Sequence, residues 1–371
     1  MLVIIAPLRF TLWVLIVSIA AIIVLITIGV SRHIESVRAD RRRRRLQSEF
    51  GPVFSRFLET QDSAHLAESL RPAFLRMDAA ERPVLALLTI DLMNEASLSG
   101  QTDALRSALD EAGIVELGER GTRRRAPWRR ALACEALGKI GAPRSVPALL
   151  ERLRDRRPEV RMAAVRALGD IGSDEAIPTL GEAFLERRVA PTDVVNDALR
   201  RIGGAAGPVF EQGVASLDPI VRVSSCFGLA AIASTHGAAV YRLSEVLASD
   251  SDPRVRAAAA SALGIAGGGK APATLLHATA DPDVSVRRGA VKALGSFDDP
   301  TAAEALDGRT EDEDREVAIR AAEALVALTG RPHAGTDASA RIDASSAWAV
   351  EYARKVAEVV AAAPKLAEVS A

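Results

Sequence analysis

Leucine, alanine and valine recur along this chain in a block that repeats at a nearly constant interval. The block is clearest at Val160–Gly172, which reads VRMAAVRALGDIG. Each copy is centred on one leucine, and consecutive leucines lie 30 to 34 residues apart. These anchoring leucines are Leu137, Leu168, Leu199, Leu229, Leu263, Leu294 and Leu325. Seven copies at such a spacing predict a solenoid, in which each unit packs on its neighbours.

Within a copy, the apolar positions follow the period of an α-helix. Counted from the anchoring leucine, they fall at −8, −4, −1, 0 and +3 and form one stripe. Each block is therefore predicted to be the second helix (B) of a pair. The first helix (A) is predicted in the preceding segment, for example at Ser145–Arg154 and Glu175–Arg187.

Two polar positions also recur at the start of helix B. Aspartate stands at −11 in four copies and arginine at −7 in five, as in Asp252 and Arg256. An aspartate there can cap the N terminus of helix B. The four-residue spacing also predicts Asp–Arg ion pairs, either within a repeat or as a ladder from one repeat to the next.

Position −2 is the best candidate for a binding surface, because it points away from the buried stripe. B helices line the concave surface of a helical solenoid, where partners usually bind. The row mixes both charge signs with one aromatic ring, which favours a protein partner and disfavours nucleic acid. Its residues are Glu135, Arg166, Asp197, Phe227, Ser261, Lys292 and Glu323, with Phe227 as the predicted anchor.

The N-terminal part of the chain differs in character from the repeats. Phe10–Val30 is free of charged residues and is predicted to be a transmembrane helix, in preference to a cleaved signal peptide. Basic residues after it place the repeats in the cytoplasm and the N terminus outside the inner membrane. The run Arg41, Arg42, Arg43, Arg44 and Arg45 either only sets this topology or also binds anionic lipid headgroups.

Charge and composition limit the possible functions. Residues 1–45 have eight arginines and two acids, and the remainder has 39 basic and 46 acidic residues. An acidic body argues against general nucleic-acid binding. The two cysteines and five histidines have no metal-ligand or catalytic spacing, so no enzyme activity, cofactor, metal or small-molecule substrate is predicted.

The predicted organisation has seven segments. The last one carries an amphipathic helix with Trp348 and Tyr352 on one side, either a cap over the last repeat or a docking element. In order, the segments are a short N terminus (1–9), the transmembrane helix (10–30), a basic juxtamembrane stalk (31–60), degenerate repeats (61–125), regular repeats (126–330), a linker (331–345) and the C-terminal helix and tail (346–371).

The repeats resemble HEAT repeats, especially the short bacterial type shared with phycobilin-lyase subunits. The resemblance rests on the string EAIPTLGEAF at Glu175–Phe184, the D-P-x-V-R turns at Asp218–Arg222 and Asp252–Arg256, and the ALGDIG ending at Ala167–Gly172. It implies an all-α, right-handed α-solenoid, which here follows the predicted single N-terminal transmembrane helix. The resemblance and the predicted anchor together give a membrane-anchored scaffold or adaptor for a protein as the expected function, and the alternative is an enzyme or chromophore-lyase-like subunit.

Overall fold

The computed structural model describes residues 37–369, except 39, 58, 61, 79–80, 187–188, 269, 332–334 and 345–346. Regular structure in these residues is entirely helical, as expected from the period of the apolar positions. The chain forms two compact units, Met1–Ala142 and Pro143–Ala371.

The first unit contains the helices before the regular repeats and, as its last helix, the first regular copy. They are α1 (40–57), α2 (Ser63–Arg76), α3 (Arg82–Ser99), α4 (Thr102–Glu111), α5 (Ile114–Gly121) and α6 (Pro127–Ile140). Helix α6 packs against both α3 and α5. Gly118 and Gly121 of α5 allow the close approach, because a Cβ at Gly118 would lie 2.7 Å from Leu137 Cδ2.

In the residues that the structure describes, the second unit is a solenoid of seven helix pairs. Its A helices are α7 (Val146–Arg152), α9 (Ile177–Glu186), α11 (Gly207–Val214), α13 (Ala239–Ser249), α15 (Ala273–Ala278), α17 (Pro300–Asp307) and α19 (Gly335–Ala344). Its B helices are α8 (Pro158–Ile171), α10 (Thr192–Ile202), α12 (Pro219–Ala231), α14 (Pro253–Ala266), α16 (Val284–Leu294), α18 (Arg315–Leu328) and α20 (Trp348–Val369). Each B helix packs on the next B helix along the chain, from α8 to α20.

The apolar stripe forms the core between these helices. All seven anchoring leucines are at most 1% exposed. Glycine at +1 brings B helices together, since a Cβ at Gly169 would lie 2.6 Å from Ala198 Cα and one at Gly264 would lie 2.7 Å from Ala293 Cα. The constant small residues are therefore explained by helix packing.

The recurring aspartate at −11 caps helix B, as predicted. Asp218 accepts a hydrogen bond from the backbone N–H of Ile220, Asp252 from that of Arg254, and Asp283 from that of Ser285. Because the first N–H groups of a helix have no partner within it, each cap satisfies a donor that would otherwise be lost.

Three of the five recurring arginines at −7, namely Arg222, Arg256 and Arg287, form a ladder, but with a different aspartate from the one expected. Arg256 binds Asp281 through two hydrogen bonds of 2.9 Å, and its Nη1 donates to the carbonyl of Asp250. Asp281 stands at −13 of the next copy. The same arrangement joins Arg222 to Asp250 and Arg287 to Asp312. The −11 aspartate is already used as a cap, so the −13 aspartate, at the end of the preceding turn, meets the guanidinium instead.

The basic segment near the N terminus belongs to a folded helix and is not a separate stalk. Helix α1 continues through Gly51 and Pro52 and buries Leu46 and Phe50. Of the five arginines at 41–45, Arg43 pairs with Asp91 at 2.8 Å and Arg45 with Glu81 at 3.5 Å. These ion pairs attach α1 to α3 and to the residue that directly precedes α3.

The predicted membrane span, 10–30, lies outside the described residues. Among the helices that the structure does describe, none is both long and apolar enough to cross a bilayer. Helices α3 and α20 have 18 and 22 residues, but each carries at least three charged side chains. The expected localisation, a single-pass inner-membrane protein with cytoplasmic repeats, is corrected accordingly, because none of these helices provides the span it requires.

The C-terminal segment continues the repeat. Helix α19 occupies most of the predicted linker, 331–345, and α20 packs on α18 as the next B helix. Helix α20 buries Ala349, Val350 and Ala353, whereas Trp348 and Tyr352 are each 47% exposed. The small side chains thus face the last repeat, and the guanidinium of Arg315 stacks over the Trp348 ring, 5.2 Å from its centroid.

Candidate functional site

The row at −2 lies on the solvent side of the B helices. In the second unit, Arg166 and Lys292 are exposed, while Asp197 and Phe227 are half-buried. Glu135 is exposed on α6 of the first unit. The successive packing of α8 to α16 places these four residues of the second unit in chain order on α8, α10, α12 and α16, with α14 between the last two.

The charged residues of this row differ in how far they are already neutralised. Asp197 pairs with Arg201 of its own helix at 3.0 Å. Arg201 also pairs with Asp170 on the preceding B helix. Arg166 and Lys292 form no ion pair with any residue that the structure describes. These two cations therefore remain available to a partner.

An apolar strip on α12 lies at the centre of the row. Ile220, Val223 and Phe227 follow one another at helical spacing, and Ile220 is 49% exposed. Leu217, three residues before Ile220, is 99% exposed. Helices α10 and α14 pack on either side of α12 and carry the ion pairs Asp197–Arg201 and Asp252–Arg254. An apolar centre with a charged rim is the usual composition of a protein interface.

Of this strip, only Phe227 was predicted from the sequence. The signal for Ile220 was nevertheless present, because position −9 is polar or charged in four other copies. Those residues are Glu159, Arg254, Ser285 and Glu316. Ile220 thus places an apolar side chain where four of the six other copies carry a polar one, which marks a surface whose role differs from solubility.

The arginine ladder is excluded as a ligand site, since its groups satisfy one another. Arg256 is 16% exposed and Asp281 is 12% exposed. Burial raises the pKa of Asp281, but the hydrogen bonds from Arg256 and the Asp283 N–H outweigh it, so the pKa lies below its ordinary value. The hydrogen bond that Arg256 donates to Asp281 likewise raises the pKa of Arg256. The ladder thus stays charged and paired at neutral pH.

The described residues offer little reactive chemistry. Burial raises the pKa of the Cys226 thiol to about 12, which keeps it protonated and unreactive. Within the described ranges, no group of three or more His, Cys, Asp or Glu side chains is placed to hold a metal ion. His236 pairs with Glu211 at 2.7 Å beside Gly207 and thereby ties an inter-repeat turn to α11.

Comparison with known proteins identifies the repeats. The family model of HEAT repeats matches residues 116–199, 207–283 and 272–358, which is more than half of the chain. The chain belongs to the HEAT-repeat family. The match reaches into α20, so the family extends beyond the predicted end of the repeats at residue 330. None of the curated proteins matches the sequence.

Solved HEAT-like structures are similar to this chain at low identity. The complex of CpcE and CpcF of phycocyanin lyase from a Nostoc species is 20% identical over 71% of this chain and 94% of that chain, with a TM-score of 0.33. Human deoxyhypusine hydroxylase is 21% identical over 74% and 97%, with a TM-score of 0.27. The karyopherin Kap121p, bound to the C terminus of the phosphatase Cdc14p, is 15% identical over 72% and 38%, with a TM-score of 0.46. These likenesses concern the fold alone and say nothing about activity.

Proposed function

We propose that this HEAT-repeat protein is a scaffold or adaptor that binds a protein partner through the −2 row of its second unit. The apolar strip of Leu217, Ile220 and Phe227 carries the proposal, because it offers a partner apolar area that no other described element covers. The unpaired Arg166 and Lys292 would orient the partner and favour one with acidic groups. The mode of action is binding and not catalysis.

A photo-crosslinking experiment tests this interface. A photoreactive amino acid at position 227, in the full chain expressed in cells, should attach to one stoichiometric protein. The matched control places it at Tyr241, which is 66% exposed on the A helix α13 of the same unit. Crosslinks of equal yield to the same proteins from both positions would contradict the proposal.

Substitution of the strip gives the complementary test. Ile220→Asp with Phe227→Ala should lower the yield of the partner by at least about tenfold, since buried apolar anchors dominate binding energy. Val240→Asp with Tyr241→Ala, which changes exposed residues of α13, should leave it unchanged. A purified chain that retains a pigment or small molecule, and no protein, would instead favour the lyase-like alternative.

A further inference from the structure

A narrow cleft in the first unit combines an apolar floor with a rim of arginines. Its walls come from α3, α5 and α6, and the space free of protein atoms is about 660 Å³ with the open mouth included. Leu85, Leu117, Leu132 and Ile140 supply apolar lining. The cleft is separate from the −2 row, and the inference does not depend on the proposed function.

Every ionisable side chain in the lining is an arginine. Arg82 lies in the first turn of α3, Arg124 in the loop before α6, and Arg129 in the first turn of α6. Among the described residues, no carboxylate pairs with any of the three. This contrasts with the arginines of the ladder, each of which holds a carboxylate through two hydrogen bonds.

Two of these guanidinium groups carry donors that lack an acceptor. The Nε of Arg82 and the Nε of Arg129 are buried, and neither donates a hydrogen bond to a described residue. The Arg129 guanidinium stacks over the Trp128 ring, 5.1 Å from its centroid, which holds it in place without neutralising it. A buried unpaired donor is costly, and a charged one more so, unless a ligand supplies the acceptor.

We infer that the cleft binds a single-chain anionic amphiphile, with its carboxylate on the arginines and its alkyl chain along the apolar floor. A carboxylate matches the guanidinium geometry and supplies two acceptor oxygens. An alkyl chain needs no polar partner. A peptide segment would bring N–H and C=O groups into a lining whose only uncharged polar side chain is that of Thr89, so its backbone would be left unsatisfied.

Calorimetric titration of the full chain with dodecanoate, below its micelle concentration, tests the inference. Saturable binding with one ligand per chain is expected. Dodecanol lacks the charge and acetate lacks the chain, so both should bind at least about tenfold more weakly. Failure of dodecanoate to saturate, or equal binding of dodecanol, would overturn the assignment.

Paired substitutions locate the site. Arg82→Met with Arg129→Met should weaken dodecanoate binding by at least about tenfold, because each charge-assisted hydrogen bond is worth roughly a factor of ten. Arg123→Met with Arg125→Met removes the same charge from exposed neighbours outside the lining and should change affinity by less than about twofold. Equal loss in the two double variants would show a general charge effect and refute the site.

Two further measurements separate loss of the ligand from loss of the fold. Ala86→Phe fills the cleft while keeping all three arginines, and should abolish binding without lowering helix content in far-UV circular dichroism. Without ligand, Arg82→Met with Arg129→Met should unfold no more easily than the natural sequence, because the removed donors have no partner to lose. An acidic apolar peptide that binds with the same arginine dependence, while dodecanoate does not, would overturn the choice of ligand.

Discussion

Replacing Asp281 with alanine should uncouple two neighbouring repeats of the solenoid. Asp281 accepts from Arg256 Nε and Nη2 at 2.9 Å each, and these atoms join α14 to the turn before α16. It also accepts from the backbone N–H of Asp283 at 2.9 Å. The substitution removes all three hydrogen bonds and leaves a largely buried guanidinium without its counter-ion.

The expected loss follows from the burial of this pair. Removing one partner of a fully buried ion pair costs about 3–5 kcal/mol. The two side chains retain 16% and 12% exposure, so water can partly solvate the remaining guanidinium. Arg256 Nη1 also keeps its bond to the carbonyl of Asp250. A destabilisation of about 2–3 kcal/mol is therefore expected.

Urea unfolding followed by far-UV circular dichroism measures the effect, and hydrogen exchange of the α16 amides locates it. Glu351→Ala is the matched control, since it removes an exposed carboxylate that pairs with Lys355 at 3.0 Å on α20. That loss should not exceed about 0.5 kcal/mol. A decrease in the free energy of unfolding below about 1 kcal/mol for Asp281→Ala would refute the view that the ladder couples repeats. Unchanged hydrogen-exchange protection of the α16 amides would refute it as well.

The double variant Arg256→Met with Asp281→Leu distinguishes the contribution of the ion pair from the cost of the uncompensated charge that Asp281→Ala leaves on Arg256. Apolar side chains of similar size leave no buried charge, so the double variant should be less destabilised than Asp281→Ala alone. If the two single losses simply add, the charges do not interact through this contact.

Three other predictions follow from the same structure. The hydrogen bonds that lower the pKa of Asp281 and Asp312 stabilise the folded chain above the ordinary carboxyl pKa of 3.8, so urea resistance should fall as pH drops below that value. Gly264→Val should cost about 1–3 kcal/mol in urea unfolding, since its Cβ would lie 2.7 Å from Ala293 Cα and the helices would have to separate. With Cys134 replaced by alanine, the thiol of Cys226 should not react with a thiol reagent at pH 8 until denaturant is added, because its pKa is about 12.

The helix pairs could be predicted from the sequence because their cause is local and repeated. A stripe with helical period, a capping aspartate and a fixed interval act in the same direction in every copy, so the burial of the seven anchoring leucines was predictable. The end of the array could not be predicted in this way. Helix α19 has few large apolar residues, so its own sequence pattern does not identify it as an A helix. Its packing against α17 and α18 does.

The cleft in the first unit could not be predicted from the sequence, because its walls come from helices that no repeat pattern relates to one another. Arg82 and Arg129 are 47 residues apart and meet around one cleft only through the packing of α3 on α6. The orientation of α20 was also missed for a physical reason. Large aromatic residues suggested its buried face, but the close approach to α18 accepts only small side chains such as Ala349 and Ala353.

The copy centred on Leu199, which departs most from the repeat pattern, explains which polar residues of the repeat are structural. In that copy, Thr192 replaces the arginine at −7, and the −13 position of the following copy is Ser216 instead of aspartate. Where the arginine returns at Arg222, the next −13 position is Asp250, and the two are joined at 2.8 Å. The two positions thus change together within one sequence, as partners in a contact do. Recognition of a partner would not require the arginine and the aspartate to change together. The ladder therefore has a structural role. The proposed binding surface is then expected among positions that vary independently, above all the apolar strip that begins immediately beside Ser216, at Leu217.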